Sequence, residues 1–301
     1  MIDQATKLRE LINKNKKNDT VDDTTIINNS PELSSRIICV TSGKGGVGKT
    51  NFTINLAIAL SRLDLRVVII DADLGLANID VVTGSIPKFT LLDIIRSDRS
   101  IEEIMNDGPE GVKVISGGSG VLDLVDMPQE NFEKILSRLD EVCGYADVIL
   151  IDTGAGISKS VMSFVLASKE VIVVATPEPT SITDAYAMIK TISLQDKNKK
   201  IKVVINRSES INEGKISFEK LRNASEKFLN VKIEKLGYLV EDPHVSRAVK
   251  LQNPFLLQFP TAKVSRNIEL IALNLKDNLC AGVDEDSKTI GFFNKVISFF
   301  K

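Results

Sequence analysis

From Arg36 onward the chain alternates two patterns. Unbroken runs of β-branched and aliphatic residues recur at 36–40 (RIICV), 65–71 (LRVVIID), 112–116 (VKVIS), 147–152 (DVILID), 170–175 (EVIVVA), 201–206 (IKVVIN) and 236–240 (LGYLV). Between most of them lie stretches whose apolar residues return with a helical period. A run that does not alternate with polar residues suits a strand covered on both faces, and strands that alternate with helices build a parallel sheet. The pattern predicts one α/β domain over about 36–280, a doubly wound, mostly parallel sheet. Ahead of it, residues 1–12 carry a short helical pattern with Asp3 as N-cap and Ala5, Leu8 and Ile12 on one face. Residues 13–35 are rich in Asn, Lys, Asp and Thr and read as a polar linker, as do 281–291. The last ten positions, 292–301, return to an apolar pattern, so the domain is expected to carry a tethered helix at each end.

Composition narrows the chemistry. The 301 residues are 43% hydrophobic and 26% charged, enough for a large core. The 38 basic and 40 acidic side chains leave a net charge of -2, so there is no overall field to hold a polyanion and no direct nucleic-acid partner is expected. The three cysteines, Cys39, Cys143 and Cys280, are far apart, which gives neither a CxxC knuckle nor a disulfide framework and points to a reducing cytosol. The single histidine, His244, rules out a multi-histidine metal site and leaves acid–base work to carboxylates and lysines. With no spanning apolar stretch and no leader-like start, the chain is expected to be neither exported nor transmembrane.

The first run leads through Ser42 into Gly43, Lys44, Gly45, Gly46, Val47, Gly48, Lys49 and Thr50, then into the helical pattern NFTINLAIALSRL. This is GxxxxGK[ST] in the strand–loop–helix setting that a phosphate loop needs. Its glycines let backbone N–H groups surround a β-phosphate at a helix N-terminus. Lys49 adds charge on the β and γ oxygens, and the Thr50 hydroxyl suits Mg²⁺. The second run ends with Asp71 and Asp73 and the fourth with Asp152, at the strand ends where α/β folds place ligands.

The second lysine in KGGVGKT resembles the deviant Walker A loop of the MinD/ParA class of ATPases. The resemblance implies that Lys44 reaches the phosphates of a facing subunit, so that ATP joins two chains into a homodimer. It implies that Asp73 positions the attacking water, that Asp71 lies deeper near Lys49 and the metal shell, and that Asn78 contacts the partner's site. DVILIDTGAG resembles the Walker B and switch II segment, with Asp152 holding Mg²⁺ through water and Gly154 approaching the γ-phosphate. Asn206 ends a late strand with an amide that complements an adenine edge, and relatives place an asparagine there. A guanine-specific NKxD would need Asp where Glu209 stands, so ATP is the expected nucleotide. The loop with Pro243 is either a plain turn or the place where relatives wrap the adenine.

At the C-terminus, a period of about 100 degrees per residue puts Phe292, Phe293, Val296, Ile297, Phe299 and Phe300 within an arc of about 160 degrees. Asn294, Lys295, Ser298 and Lys301 take the other side. Such a segment lies in an anionic lipid surface or packs on its own domain, and it resembles the membrane-targeting sequence of MinD. At the other end, Asp3, Gln4, Ala5, Leu8 and Arg9 match the DQAxxLR motif of the FlhG (YlxH, FleN) family of MinD-like regulators of flagellar number and placement. In that family the segment stimulates the GTPase FlhF. The resemblance implies an ATP-hydrolysing dimeric switch, cytoplasmic and peripheral on the inner membrane face when ATP-bound, with flagellar basal-body components as further partners. A MinD-type division-site ATPase, a ParA-like DNA-partitioning ATPase and an iron–sulfur reductase of the nitrogenase type share the loop. The N-terminal motif, the charge balance and the cysteine spacing respectively argue against these three.

Overall fold

The computed structural model describes residues 35–73, 78–117 and 128–280, with Phe292, Lys295 and Val296. The chain divides into Met1–Leu33 and Ser34–Lys301, and the first unit, with its motif residues Asp3, Gln4, Ala5, Leu8 and Arg9, lies outside the described residues. All seven apolar runs are strands: β1 (Arg36–Ser42), β2 (Val67–Ala72), β4 (Lys113–Ile115), β5 (Val148–Ala155), β6 (Glu170–Ala175), β7 (Lys200–Ser208) and β8 (Glu234–Val240). The sheet order is β3-β4-β2-β5-β1-β6-β7-β8, parallel except where β3 (Asn106–Asp107) pairs antiparallel with β4. The apolar pattern gives no sign of β3. It is set by contacts of one polar side chain, Asn106, which donates to the carbonyls of Phe89 and Ile104 and accepts from the Lys88 amide.

Successive residues of a strand point to opposite faces, and β1 shows it. Ile37 and Cys39 enter one core, Ile38 and Val40 the other, all of them buried. The first core is covered by α3 (Asp93–Ser97), α4 (Ile101–Ile104), α5 (Gln129–Glu141), α6 (Lys159–Ala167), α7 (Pro179–Gln195) and α8 (Ile211–Leu229). The second is covered by α1 (Lys49–Ser61), α2 (Asn78–Thr83), α9 (Pro243–Lys250), α10 (Phe255–Gln258) and α11 (Lys263–Cys280). Helices on both faces are why the strands read as continuous apolar runs. α1 is buried along nearly its whole length, and of its buried polar residues Asn55 is satisfied by the Asn51 carbonyl and the Leu256 amide. Phe292 and Val296 also belong to the first core. Among the described residues no helix is long and apolar enough to cross a membrane.

Candidate active site

Parallel strands bring their carboxyl ends to one edge, and β1, β2, β5, β6 and β7 together deliver the chemistry there. Gly48 caps α1 in the left-handed region (φ 86°) and offers no side-chain oxygen, which leaves the first N–H groups of the helix for an anion. Gly46 is also left-handed (φ 75°). The loop is pressed against its neighbours, since a Cβ on Gly43 would come within 2.2 Å of the Asp184 carbonyl oxygen in α7, and one on Gly48 within 2.5 Å of Asn206 Nδ2.

Lys49, Thr50 and Asp152 meet beneath the loop. Thr50 Oγ1 donates to Asp152 Oδ2 at 2.7 Å, and Lys49 Nζ lies 3.9 Å from Asp152 Oδ1. Thr53, one turn further along α1, is a residue that the motif does not reveal. Its hydroxyl lies 3.0 Å from the Lys49 carbonyl and 3.2 Å from Asp152 Oδ1. Burial pushes the Asp152 carboxyl above the ordinary range, against the pull of Lys49, Thr50 and Thr53. Asp71 is its neighbour across β2 and β5, fully buried, and burial together with Asp152 raises it further. Asp71 accepts the Asp73 amide at 3.0 Å, so it holds the loop that presents Asp73. Asn78 Nδ2 donates to Asp73 Oδ2 at 3.2 Å, which ties Asn78 to Asp73 of its own chain. Gly154 faces the same carboxylate, with room for a Cβ only 3.6 Å from Asp73 Oδ1.

These donors fit Mg²⁺. A hydroxyl and a buried carboxylate within hydrogen-bonding distance are hard oxygen ligands, and the described residues hold no group of three His, Cys, Asp or Glu side chains that would form an all-protein cage. Magnesium is commonly bound through one or two such groups, with water and phosphate completing the shell.

Lys44 is paired within its own chain. Its Nζ lies 3.0 Å from Glu178 Oε2 and 3.1 Å from Thr180 Oγ1 at the start of α7, and it holds the Glu178 carboxyl below the ordinary range. The side chains are 40% and 56% exposed, so water screens the pair and it is weak. Lys44 is therefore easily drawn away by a stronger anion. Asn206 is more firmly engaged, since Nδ2 donates to the Val47 carbonyl at 2.7 Å and Oδ1 accepts the Arg207 amide at 2.9 Å. It clamps the phosphate loop, and one N–H and one lone pair remain for a base edge. Arg207 adopts φ 56° to make that turn. Pro243 begins α9 just after Asp242, whose side chain caps it. Of the six C-terminal apolar positions, Phe292 and Val296 are buried in the domain's own core, while Phe293, Ile297, Phe299 and Phe300 lie outside the described residues.

Comparison with known proteins agrees with this geometry. The family model described as "ParA: NUBPL iron-transfer P-loop NTPase" matches residues 34–276. Of the cysteines the structure describes, Cys39 lies inside β1 and its thiol is pushed well up by burial, while burial pushes Cys143 up to about 11. The antiactivator FleN of Pseudomonas aeruginosa is 40% identical over 237 residues, 79% of this chain and 85% of its own. The flagellum site-determining protein YlxH of Helicobacter pylori is 32% identical over 274 residues, 88% of this chain and 91% of its own. Among solved structures, the septum site-determining protein MinD of Pyrococcus horikoshii in complex with Mg-ADP superposes with a TM-score of 0.68 at 26% identity, covering 84% of this chain and 99% of that one. The phosphate loop with its second lysine, the three aspartates at the sheet edge and these relatives place the chain in the MinD/ParA family of P-loop NTPases, in the group of FleN and YlxH.

Proposed function

We propose that the protein is an ATP-hydrolysing dimeric switch that controls the number and position of flagella. The likeness to FleN, at 40% identity over 79% of the chain, carries this reading, and the DQAxxLR motif at residues 3–9 supports it. Bound Mg²⁺ supplies charge neutralisation on the phosphates. The loop's N–H groups and Lys49 hold and neutralise the β and γ oxygens, and Thr50 and Asp152 hold the metal. Asp73, steadied by Asp71 and Asn78, orients the attacking water. Catalysis of phosphoryl transfer rests on such positioning and charge rather than on covalent chemistry. Lys44 leaves Glu178 and Thr180 for the phosphates of a facing copy, which makes the closed dimer depend on ATP.

The dimer associates with the inner membrane face through the C-terminal segment, which exchanges its place in the core for lipid. One such segment binds weakly. Two on one dimer make the second insertion intramolecular, which raises avidity by about 10² to 10⁴. The N-terminal segment stimulates a GTPase of the FlhF type, and basal-body components are further partners.

Light scattering with saturating ATP and Mg²⁺ tests the switch. Asp73→Ala is expected to be a stable dimer without turnover, and a monomer under those conditions rejects the model.

A further inference from the structure

α11 runs back along the strands from the nucleotide edge: the Leu275 carbonyl accepts from Arg36 at the start of β1, and Lys276 Nζ donates to the Leu63 carbonyl just before β2. Its inward face, with Val264, Ile268, Ile271, Ala272 and Leu275, belongs to the second core. At about 100 degrees per residue, Arg266, Leu270, Leu273 and Asp277 fall within an arc of about 60 degrees on the opposite side. All four are exposed, Leu270 at 57% and Leu273 at 43%. Their spacing is four, three and four, the repeat by which one helix meets another along a seam. A helix buried on one face has no need of that repeat on the other.

The charges identify the partner. Arg266 and Asp277 stand at equal distances on either side of the midpoint between Leu270 and Leu273, about 8 Å along the axis. A second copy of α11, laid antiparallel across a two-fold axis through that midpoint, places Leu270 of one copy on Leu273 of the other and Arg266 beside Asp277 at both ends. A parallel pair would set arginine against arginine and aspartate against aspartate. Among the described residues neither charge has an ion-pair partner. Each also stands where the helix dipole disfavours it, Arg266 in the first turn and Asp277 in the last. The placement therefore does nothing for an isolated helix, and it suits a helix that meets its own antiparallel copy.

We propose that the outer face of α11 is a self-complementary surface on which a second copy of this chain docks, helix against helix and antiparallel. The seam lies at right angles to the nucleotide edge, and antiparallel docking turns the two nucleotide edges in opposite directions, so both stay open. This pair is separate from the ATP-closed dimer and does not need it. Where that dimer also forms, the two kinds of two-fold contact alternate and join dimers into an open chain, a consequence that rests on the function proposed above. Two leucines from each copy make a small contact, so single chains pair at high protein concentration.

The test is sedimentation equilibrium of the full-length chain over a range of concentrations, without nucleotide and, for Asp73→Ala, with saturating ATP and Mg²⁺. The expected result is a concentration-dependent dimer without nucleotide and species larger than a dimer with ATP. Leu270→Ser with Leu273→Ser is expected to abolish the first and to hold the second at the dimer. Arg266→Asp sets two pairs of aspartates against each other and is expected to weaken the nucleotide-free association at least about tenfold; adding Asp277→Arg is expected to restore it to within about threefold of the parent. Restoration by the second reversal separates a lost contact from a damaged fold. A parent that stays monomeric without nucleotide at every concentration, or a double reversal no better than the single one, overturns the proposal, and the seam then faces another partner. An ATP-bound protein that closes to a dimer and grows no further rejects the seam and keeps the nucleotide dimer. Nucleotide-free pairing that follows the charge reversals, in a protein whose mass ATP leaves unchanged, keeps the seam and rejects the nucleotide dimer.

Discussion

At the scale of single residues, the site is held by contacts that the loop motif does not spell out. Gly43 is required for a reason other than phosphate: its α-carbon is pressed against the backbone of α7, and a Cβ would meet the Asp184 carbonyl carbon at 2.3 Å. Backbone cannot rotate aside as a side chain can, so Gly43→Ala must shift either the loop or α7. Overpacking of this kind costs about 1–3 kcal/mol. The expected result is a protein whose thermal midpoint falls by several degrees and whose nucleotide affinity falls with it, measured by calorimetry and by fluorescent-nucleotide titration. Gly45, where the nearest atom to a Cβ would be 4.0 Å away, serves as the comparison: Gly45→Ala should keep the fold. The same close approach explains why α7 carries the partners of Lys44. The helix that supports the loop also presents Glu178 and Thr180 at its first turn.

At the scale of elements, the strands are fastened at their starts as well as through their ladders. Glu170 opens β6 and binds Arg36 Nη2 of β1 at 2.6 Å and Lys202 Nζ of β7 at 2.7 Å. Burial would raise its carboxyl, yet the two cations outweigh burial and hold it at about 2. A carboxyl depressed in the folded state stabilises it fully above the ordinary carboxylate range and loses that contribution as pH falls from about 4.5 towards 2. Removing one partner from a buried group of charges costs about 3–5 kcal/mol. Glu170→Gln is therefore expected to lower unfolding free energy by about 3 kcal/mol near neutral pH. In urea melts the gap between variant and parent should narrow steadily once pH drops below the ordinary glutamate range. A gap that does not change with pH would mean that packing, not charge, is what Glu170 supplies.

At the scale of the whole molecule, the polar stretch 13–35 separates the motif at residues 3–9 from the P-loop domain, so the two are expected to act on different partners. The Gln4 amide can orient water and the Arg9 guanidinium can offset phosphate charge, the two services that a GTPase accepts from an activator. An arginine supplied in this way is worth about 10³ to 10⁵ in rate at its fullest. Gln4→Ala and Arg9→Ala in the full chain are each expected to lower stimulated GTP hydrolysis by an FlhF-type partner at least about tenfold. The nucleotide hydrolysis and the ATP-dependent dimer proposed for this chain should be unchanged, as read by phosphate release and light scattering. Unaltered stimulation by both variants would favour a division-site role of the MinD type instead.

The apolar runs and the loop motif were enough to read the α/β class and the parallel strands and to put Lys49, Thr50, Asp73 and Asp152 at one edge of the sheet, because burial on both faces and phosphate binding each demand a local pattern. Other features depend on residues far apart in the chain. Asn206 is 159 positions from the Val47 carbonyl that it holds, Thr53 is 99 from Asp152, and Lys44 is 134 from Glu178, and no local period marks such pairs. The same holds for β3, whose two polar residues become a strand through the loop contacts of Asn106. Amphipathic spacing in 292–301 marks an apolar face but not what covers it. Only the folded domain, by supplying a core that accepts Phe292 and Val296, decides where those two side chains rest in a single chain. A hydrophobic face is selected for burial without regard to the partner, whereas the partner is set by which surface is close enough to meet it.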